Sequence, residues 1–479
     1  MDPNGAELAA LALSAMDHRG GDSSGIAGIT HAGNFELFRE SGLAHEIYTP
    51  DTIGYVRSLG MVALIGHDRY ATSGPADKHQ QPVEAGTGNK RVHVAQNGNL
   101  SNLDPLRRYL MSKNIDPAPY NDTEMSACAI AEEVERGATP SEAAATIFPL
   151  LIGAHCTVVC GKDADGDPEL AVMRDAHGVR PLVLGKTKDG YMVTSETIGL
   201  DAAGAEFIRE VRPGELLTIN KNGLESRQLA EPDPKFDLLE LIYFSHPDSK
   251  FKGVPIREIR KAFGTQLGKE YREVYGREGI DPDTLVIGMP SSGLPYAEGF
   301  AAELKLEFRP NAVVKIGRER SFMQPTQIER EKVRGRKYRH NRLIIAGRPV
   351  IAADDSIVRG TTTPFATEQI RAAGALSVSW AIGSPAILHP NFYGMDLARQ
   401  EELIAARLNN DQERIRQEIR CERLAHLSLA GQLKTVEALT GEPASHFETS
   451  CFDGVYPIDI GARDIRKFVP HSRQPLTLV

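Results

Sequence analysis

The stretch AADDSIVRGTTT, residues 352–363, sets two carboxylates directly before a loop of small hydroxyl residues, one glycine and one arginine. Backbone amides of Arg359, Gly360, Thr361 and Thr362 at the start of a helix form a place where an anion is favoured. Ser356, Thr361, Thr362 and Thr363 add hydroxyl donors, and Gly360 permits close backbone approach. A phosphate fits such a cradle. Asp354 and Asp355 would repel it, so they need another partner. Sugar hydroxyls can donate to them, or they can hold Mg²⁺ against a diphosphate. The ligand implied is a phosphorylated sugar carrying a second, metal-bound diphosphate. Asp-Asp-Ser alone would more often be an N-capping turn with two solvated carboxylates; the whole pattern is what points to the ligand.

A second junction, VIGMPSSG at residues 286–293, places the amides of Ser291, Ser292 and Gly293 where a diphosphate would accept from them, with the Ser292 side chain near the metal. Between Lys315 and Arg342 ten Lys or Arg face three Glu. A solvated helix face would also carry such charge. A mobile loop closing over a polyanion accounts for the concentration better, since enclosed charge needs countercharge once water leaves.

The elements that must position these residues fall into two textures. From about Gly25 to Ile219, short β-type runs such as SGIAGIT, MVALIGHDRY and RVHVAQNG are punctuated by turn residues. A helical pattern at Thr123 to Val134 interleaves with them. This predicts antiparallel sheet with packed helices. Glu225 to Asp237 is polar with two prolines and reads as a linker. Beyond it, the apolar runs DTLVIGMP, LEFRPNAVVKIG, RPVIAADDS and LSVSWAIG alternate with helical stretches at Arg257 to Tyr275, Tyr296 to Leu304 and Thr363 to Ala373. That alternation predicts a parallel sheet covered on both faces. The expected domains are residues 1–230 and 238–479.

The ordered segments HRGGDSSGIAG, GHDRYATSG, QNGNLSN, NDTEM, RDAHGVRPLVLG and SETIGLDAAGAEFIREVRPGE resemble the glutamine-hydrolysing domain of the glutamine phosphoribosyldiphosphate amidotransferases. ELIYFSHPDS, IRKAFGTQLG, RSFMQP, the Asp354 loop, HPNFYGMDL and CFDGVYP continue the match, and the Asp354 loop resembles the signature of type I phosphoribosyltransferases. The resemblance implies an N-terminal-nucleophile hydrolase αββα sandwich followed by a phosphoribosyltransferase parallel sheet. It implies phosphoribosylamine formation from phosphoribosyl diphosphate and glutamine-derived or free ammonia, opening purine synthesis. It assigns Arg69 to the glutamine carboxylate, Asp122 to the α-ammonium, and Asn97 with the Gly98 amide to an oxyanion hole. It adds Lys332 to the phosphoribosyl-diphosphate ligands and makes Ser292, Asp354 and Asp355 the Mg²⁺ residues. A homo-oligomer and purine-nucleotide feedback follow from the resemblance alone.

Several positions depart from the family pattern. The family's mature chain begins Cys-Gly-Ile or Cys-Gly-Val, with a thiol nucleophile whose base is the chain's own α-amine. Here Met1 is followed by Asp2, Pro3 and Asn4, and Cys128 is the first cysteine. The first strand is missing with the nucleophile. Truncation is the expectation favoured by the retained Arg69, Asn97 and Asp122; a paralogue using free ammonia is the alternative. Gln96 stands where the family has histidine, and Ser291 replaces an acid. KIGRERSF departs from a pattern like NRYVGRTF, and DLARQEEL lacks the usual Pro-Ser or Pro-Thr. A phosphoribosyl-diphosphate or nucleotide-binding regulator without turnover is the reading those changes keep open. Cys451 has Glu448 where a partner cysteine would stand, so no iron–sulfur cluster is expected. DADGD, residues 163–167, imitates the start of a calcium loop, but the later glutamate is absent and a hairpin turn is expected.

Composition excludes other classes. A net charge of −9 over 479 residues gives no global basic footprint for nucleic acid. Five scattered cysteines suit free thiols in a reducing cytoplasm. No apolar run reaches a bilayer span, and the amino terminus lacks the features of a signal peptide.

Overall fold

The computed structural model describes residues 4–70, 79–316, 338–395, 397 and 399–461. After helix α1 (Gly5–Ala15) come strands β1 (Ser23–Thr30), β2 (Phe35–Ser41), β3 (Met61–Arg69), β4 (Val83–Ala85) and β5 (Val92–Asn102). Helices α2 (Asp122–Glu135) and α3 (Pro140–Ile147) follow, each opened by a reciprocal capping box, at Asn121/Glu124 and Thr139/Glu142. Then come β6 (Ile152–Lys162), β7 (Pro168–Arg174), β8 (Val183–Lys186), β9 (Tyr191–Thr194), β10 (Glu206–Glu210), β11 (Glu215–Asn220) and β12 (Gly223–Gln228).

Alternation sorts these strands into layers. A six-stranded sheet, ordered β12-β11-β7-β6-β5-β4, packs its outer face on α2 and α3 through Val94, Ile130, Ile147, Val159 and Met173. Its inner face meets the sheet β2-β1-β3 through Ala27, Ile29, Ile65, Ala95 and Cys160. α1 covers the far side of that sheet with Ala6, Ala9, Ala10 and Leu13. The order is helix, sheet, sheet, helix, and a smaller sheet β10-β8-β9 continues the second layer. Residues 163–167 turn between the antiparallel strands β6 and β7, as expected of a hairpin, and Lys221 Nζ donates to Asp165 and Asp167 there.

The second half is built on β13 (Leu285–Gly288), β14 (Glu307–Phe308), β15 (Pro349–Asp354), β16 (Ser377–Ile382) and β17 (Leu424–His426). All pair in parallel, in the order β14-β13-β15-β16-β17. Successive residues of β15 serve opposite cores: Ile351 and Ala353 face α4 (Ile256–Tyr275) and α5 (Gly293–Leu304), while Val350 and Ala352 face α6 (Thr363–Ala372). That double burial is why the run is continuously apolar. α7 (Leu429–Thr440) packs against α4.

Two expectations need correction. LEFRPNAVVKIG is not one strand. A turn at Arg309–Ala312 around Pro310 divides it; Glu307–Phe308 joins the parallel sheet, whereas Val313–Lys315 pairs antiparallel with Tyr338–His340. Nor is Glu225–Asp237 a free linker. Glu225–Gln228 belongs to β12, and the amides of Asp233, Lys235 and Asp237 donate to Ala176, His177 and Val179. Prolines at 232 and 234 carry no N–H, so the alternate residues make these bonds.

Phe236–Asp237 also pairs in parallel with Phe447–Glu448, which sets two buried carboxyls side by side. Burial raises Glu448, and the Asp237 charge raises it further. Burial likewise raises Asp237, opposed by Arg180. A raised carboxyl contributes stability below its unfolded pKa of about 4.3 and loses that contribution as pH climbs through the folded value. Stability is therefore expected to fall between about pH 5 and pH 8 on this account. Glu448→Gln should flatten that slope and add roughly 1–3 kcal/mol at the alkaline end, read by urea unfolding at both pH values. An unchanged slope would remove the pair as its cause. Among the described residues, no helix is long and apolar enough to cross a membrane.

Candidate functional site

Both halves open onto one cavity of about 780 Å³. From the first half come Arg69 at the end of β3, Asn97 and Gly98 in β5, and Asp122 at the first turn of α2. From the second half come Ser292 before α5, and Asp354 to Thr363 between β15 and α6. This is the carboxyl end of a parallel sheet, where such folds bind ligands.

Asp122 is held in place by its neighbours. Its Oδ2 accepts from the Leu100 amide at 3.2 Å and from Gln96 Nε2 at 3.2 Å, and its Oδ1 from the Thr123 amide at 2.9 Å. Burial raises its pKa, and the amides of Leu100 and Thr123 pull it back. Gln96 is itself fixed: Ser126 and Thr157 hydroxyls donate to its Oε1 at 3.4 and 3.2 Å, and Gln81 Oε1 accepts from its backbone N–H at 2.7 Å. Sequence reasoning noted Gln96 only as a departure; its role is to aim the Asp122 carboxylate. Burial lowers the pKa of Arg69, while Asp22, Glu124 and Asp122 act to hold its charge. His67 is half-buried, donates to Gln96 O at 3.2 Å, and is lowered by desolvation to about 4, so it is neutral near pH 7. Asn97 Nδ2 reaches Ser195 Oγ at 3.4 Å. Gly98 has φ +127°, and a Cβ there would lie 2.1 Å from Ala154 O, so no other residue fits.

In the acidic loop Asp354 Oδ1 accepts from the Asp355 amide at 3.0 Å, and the Ser356 hydroxyl donates to Asp355 Oδ1 at 2.7 Å. Both carboxyls remain partly exposed. No described acceptor takes the N–H groups of Gly360, Thr361 or Thr362, which suits an anion cradle. Gly360 has φ +67°, and its close approach is to Ile404, where a Cβ would lie 2.4 Å from Cδ1. The negative field of the pair is felt nearby. Tyr338 is pushed up to about 12, by burial first and then by Asp354 and Asp355. Hard oxygen donors on a half-exposed acidic corner beside the Ser292 hydroxyl fit Mg²⁺.

Not every expected residue arrives. Ser291 is exposed and does not line the cavity. The Gly293 amide donates to Met289 O at 2.9 Å, so it closes the turn instead of facing a diphosphate. The Arg359 side chain donates from Nε to Glu402 at 2.7 Å. Lys332, with the rest of 317–337, lies outside the described residues.

The wall between the two half-sites is a buried charge network that no local motif announced. Arg19 donates to Glu196 at 2.6 Å and to both Glu240 oxygens at 3.0 and 2.8 Å. Arg180 donates to Glu240 at 3.0 Å and to Tyr393 O at 2.9 Å. Ser245 and Ser249 hydroxyls complete the two glutamates. Phe244 lies under Arg19 at 4.6 Å. Burial pushes Glu196 and Glu240 upward, but the guanidinium charge outweighs it and keeps both below the usual carboxylate range.

Comparison with known proteins places this geometry. Residues 67–202 match the family model for a glutamine amidotransferase domain. The amidophosphoribosyltransferase of Synechocystis sp. is 37% identical over 463 residues, covering 95% of this chain and 88% of that protein. The amidophosphoribosyltransferase of Bacillus subtilis is 32% identical, covering 96% and 93%. A solved structure of glutamine phosphoribosylpyrophosphate amidotransferase from B. subtilis, complexed with ADP and GMP, superposes with a TM-score of 0.82 at 31% identity, covering 96% of each chain.

Proposed function

The chain belongs to the amidophosphoribosyltransferase family, and from that premise we propose that it displaces diphosphate from phosphoribosyl diphosphate with ammonia to give phosphoribosylamine. The observation that carries the reading is the single cavity shared by Asp122 and Asp354. Ammonia nitrogen bonds to the anomeric carbon, the carbon–oxygen bond to diphosphate breaks, and the nitrogen sheds a proton. Asp354 and Asp355 accept from the ribose hydroxyls and lie close to the positive charge that develops at the ring. The amides of Gly360 to Thr362 hold the 5-phosphate. Magnesium, if held by Asp354, Asp355 and Ser292, offsets charge on the departing diphosphate. Purine nucleotides are proposed as inhibitors because the B. subtilis structure contains ADP and GMP, and a homo-oligomer is proposed with them.

Arg69 and Asp122 take the carboxylate and ammonium of glutamine in this reading. The test separates the halves. Asp122→Asn should weaken glutamine binding at least tenfold, about 1.4 kcal/mol, by calorimetry. The same variant should leave phosphoribosylamine formation from ammonium chloride within about twofold. Equal loss of both would contradict the assignment. A second reading, a phosphoribosyl-diphosphate sensor without turnover, is favoured by exposed Ser291 and the occupied Gly293 amide. Tight sugar binding with no diphosphate release in ammonium would select it.

A further inference from the structure

Strand β5 does not run evenly to its end. Gly98 and Asn99 pair with His155 and Ala154 of β6, but the next pair is Asn102 with Ile152, so Leu100 and Ser101 stand opposite Gly153 alone. This bulge comes directly after Asn97 and Gly98, the proposed oxyanion-hole residues. An extra residue bends a strand and re-aims the positions beside it. Gly153 makes room for it: its φ is +147°, and a Cβ there would lie 2.5 Å from Asn99 O and from Ser101 N. The displaced Leu100 amide is the one that donates to Asp122 Oδ2 at 3.2 Å. One bulge therefore sets both ends of the glutamine half-site, the oxyanion donors and the carboxylate placed on the ammonium group.

A bulge disrupts its ladder, so its geometry depends on contacts from outside the sheet. Those contacts come from residues 456–461 of the second half. Ser101 is buried and donates its hydroxyl to Asp459 O at 2.6 Å, while Asn102 Nδ2 donates to Asp459 Oδ2 at 2.7 Å. Asp459 is fixed in turn. Its Oδ1 accepts from the Gly461 amide at 2.9 Å. The Tyr393 hydroxyl donates to Ile458 O at 3.0 Å and accepts from the Ile458 N–H at 3.2 Å. Ile458 and Ile460 are buried in a cluster with Ala154 and Val179 of the first half. On the other side of the bulge, Asn99 Nδ2 donates to Phe392 O at 2.7 Å.

We propose that residues 456–461 are a strap that positions the glutamine half-site, with Asp459 acting through Ser101 and Asn102 on the β5 bulge. The inference rests on the reading of Asn97, Gly98 and Asp122 as that half-site. Asp459 is a positioning residue, since residues 456–461 lie outside the lining of the cavity. Its contacts fix Ser101 and Asn102 against β6, and Leu100 is held between them and Asn99. Release of the strap lets residues 100 and 101 shift toward regular pairing, which withdraws the Leu100 amide from Asp122 and turns Gly98 with it. Every residue placed on glutamine belongs to the first half, yet their arrangement is completed only when the second half is docked.

The test exchanges the polar pair in the full chain. Asn102→Asp keeps the acceptor that the Asp104 amide uses at 3.0 Å, but it sets two carboxylates together where an amide had donated. Adding Asp459→Asn restores a donor between the same two positions and keeps the acceptor for the Gly461 amide. Asn102→Asp should weaken glutamine binding about fivefold by calorimetry, and amides of residues 97–102 should exchange faster. The double variant should recover most of both. Diphosphate release with ammonium as donor should stay within about twofold in both variants, which reports an intact fold. Unchanged affinity, unchanged exchange, no recovery in the double variant, or an equal loss of ammonium-driven release would overturn the proposal. If the unaltered chain takes up no glutamine, the reading of the half-site fails instead, and exchange at residues 97–102 alone decides whether the strap holds the bulge.

Discussion

Replacing Asp354 and Asp355 together by asparagine should lower diphosphate release with ammonium as donor by about 10²–10³-fold, the usual cost of losing charge stabilisation in a transition state. Calorimetry should show weaker uptake of phosphoribosyl diphosphate in magnesium. The direction matters more than the size. If the loop were only a phosphate cradle, removing two negative charges beside it would tighten binding, because like charges repel across a short distance. Loss of binding requires that the acids act on something other than phosphate, which is the ribose or the metal. Asparagine keeps the shape, so the Ser356 hydroxyl bond to residue 355 and the backbone bond to residue 354 can persist. Unchanged or tighter binding in the double variant would sink the reading of this loop.

Glu240→Gln should cost about 3–5 kcal/mol, because it leaves two buried guanidinium groups short of counter-charge. Glu240 is fully buried and receives Arg19, Arg180 and the Ser245 hydroxyl. The replacement amide keeps one acceptor oxygen but sets its NH2 donor against neighbours that donate to Glu240. Denaturant unfolding is the measurement, and a loss under about 1 kcal/mol would mean that the network is surplus to stability. Since Arg19, Arg180 and Phe244 also line the shared cavity, turnover per folded molecule should fall as well. A hydrophobic replacement of the whole network, in contrast, need not be destabilising, since buried ion pairs barely repay their desolvation.

The acidic loop was legible because its chemistry is local. Asp354 to Thr363 lie within ten consecutive positions, and a strand followed by a helix presents them together whatever surrounds them. Helices α2, α4 and α6 were readable within one or two residues for the same reason, since capping and periodicity are local properties. α5 was placed three residues late, because its first turn is Gly-Leu-Pro and carries no helical period.

Sequence by itself therefore determined the type of each half, through strand texture and helix alternation, and brought the residues of one loop together as a candidate site. Tertiary structure alone decided that the two half-sites share one cavity, that Ser291 and the Gly293 amide turn away from it, and that Gln96 aims Asp122. It also decided the pairing of Arg19 with Glu240 across 221 positions. The division has a physical reason. Backbone conformation responds to neighbours within a turn or a strand. The partner of a buried charge and the rotation of an amide depend on which distant segments the packed core brings together.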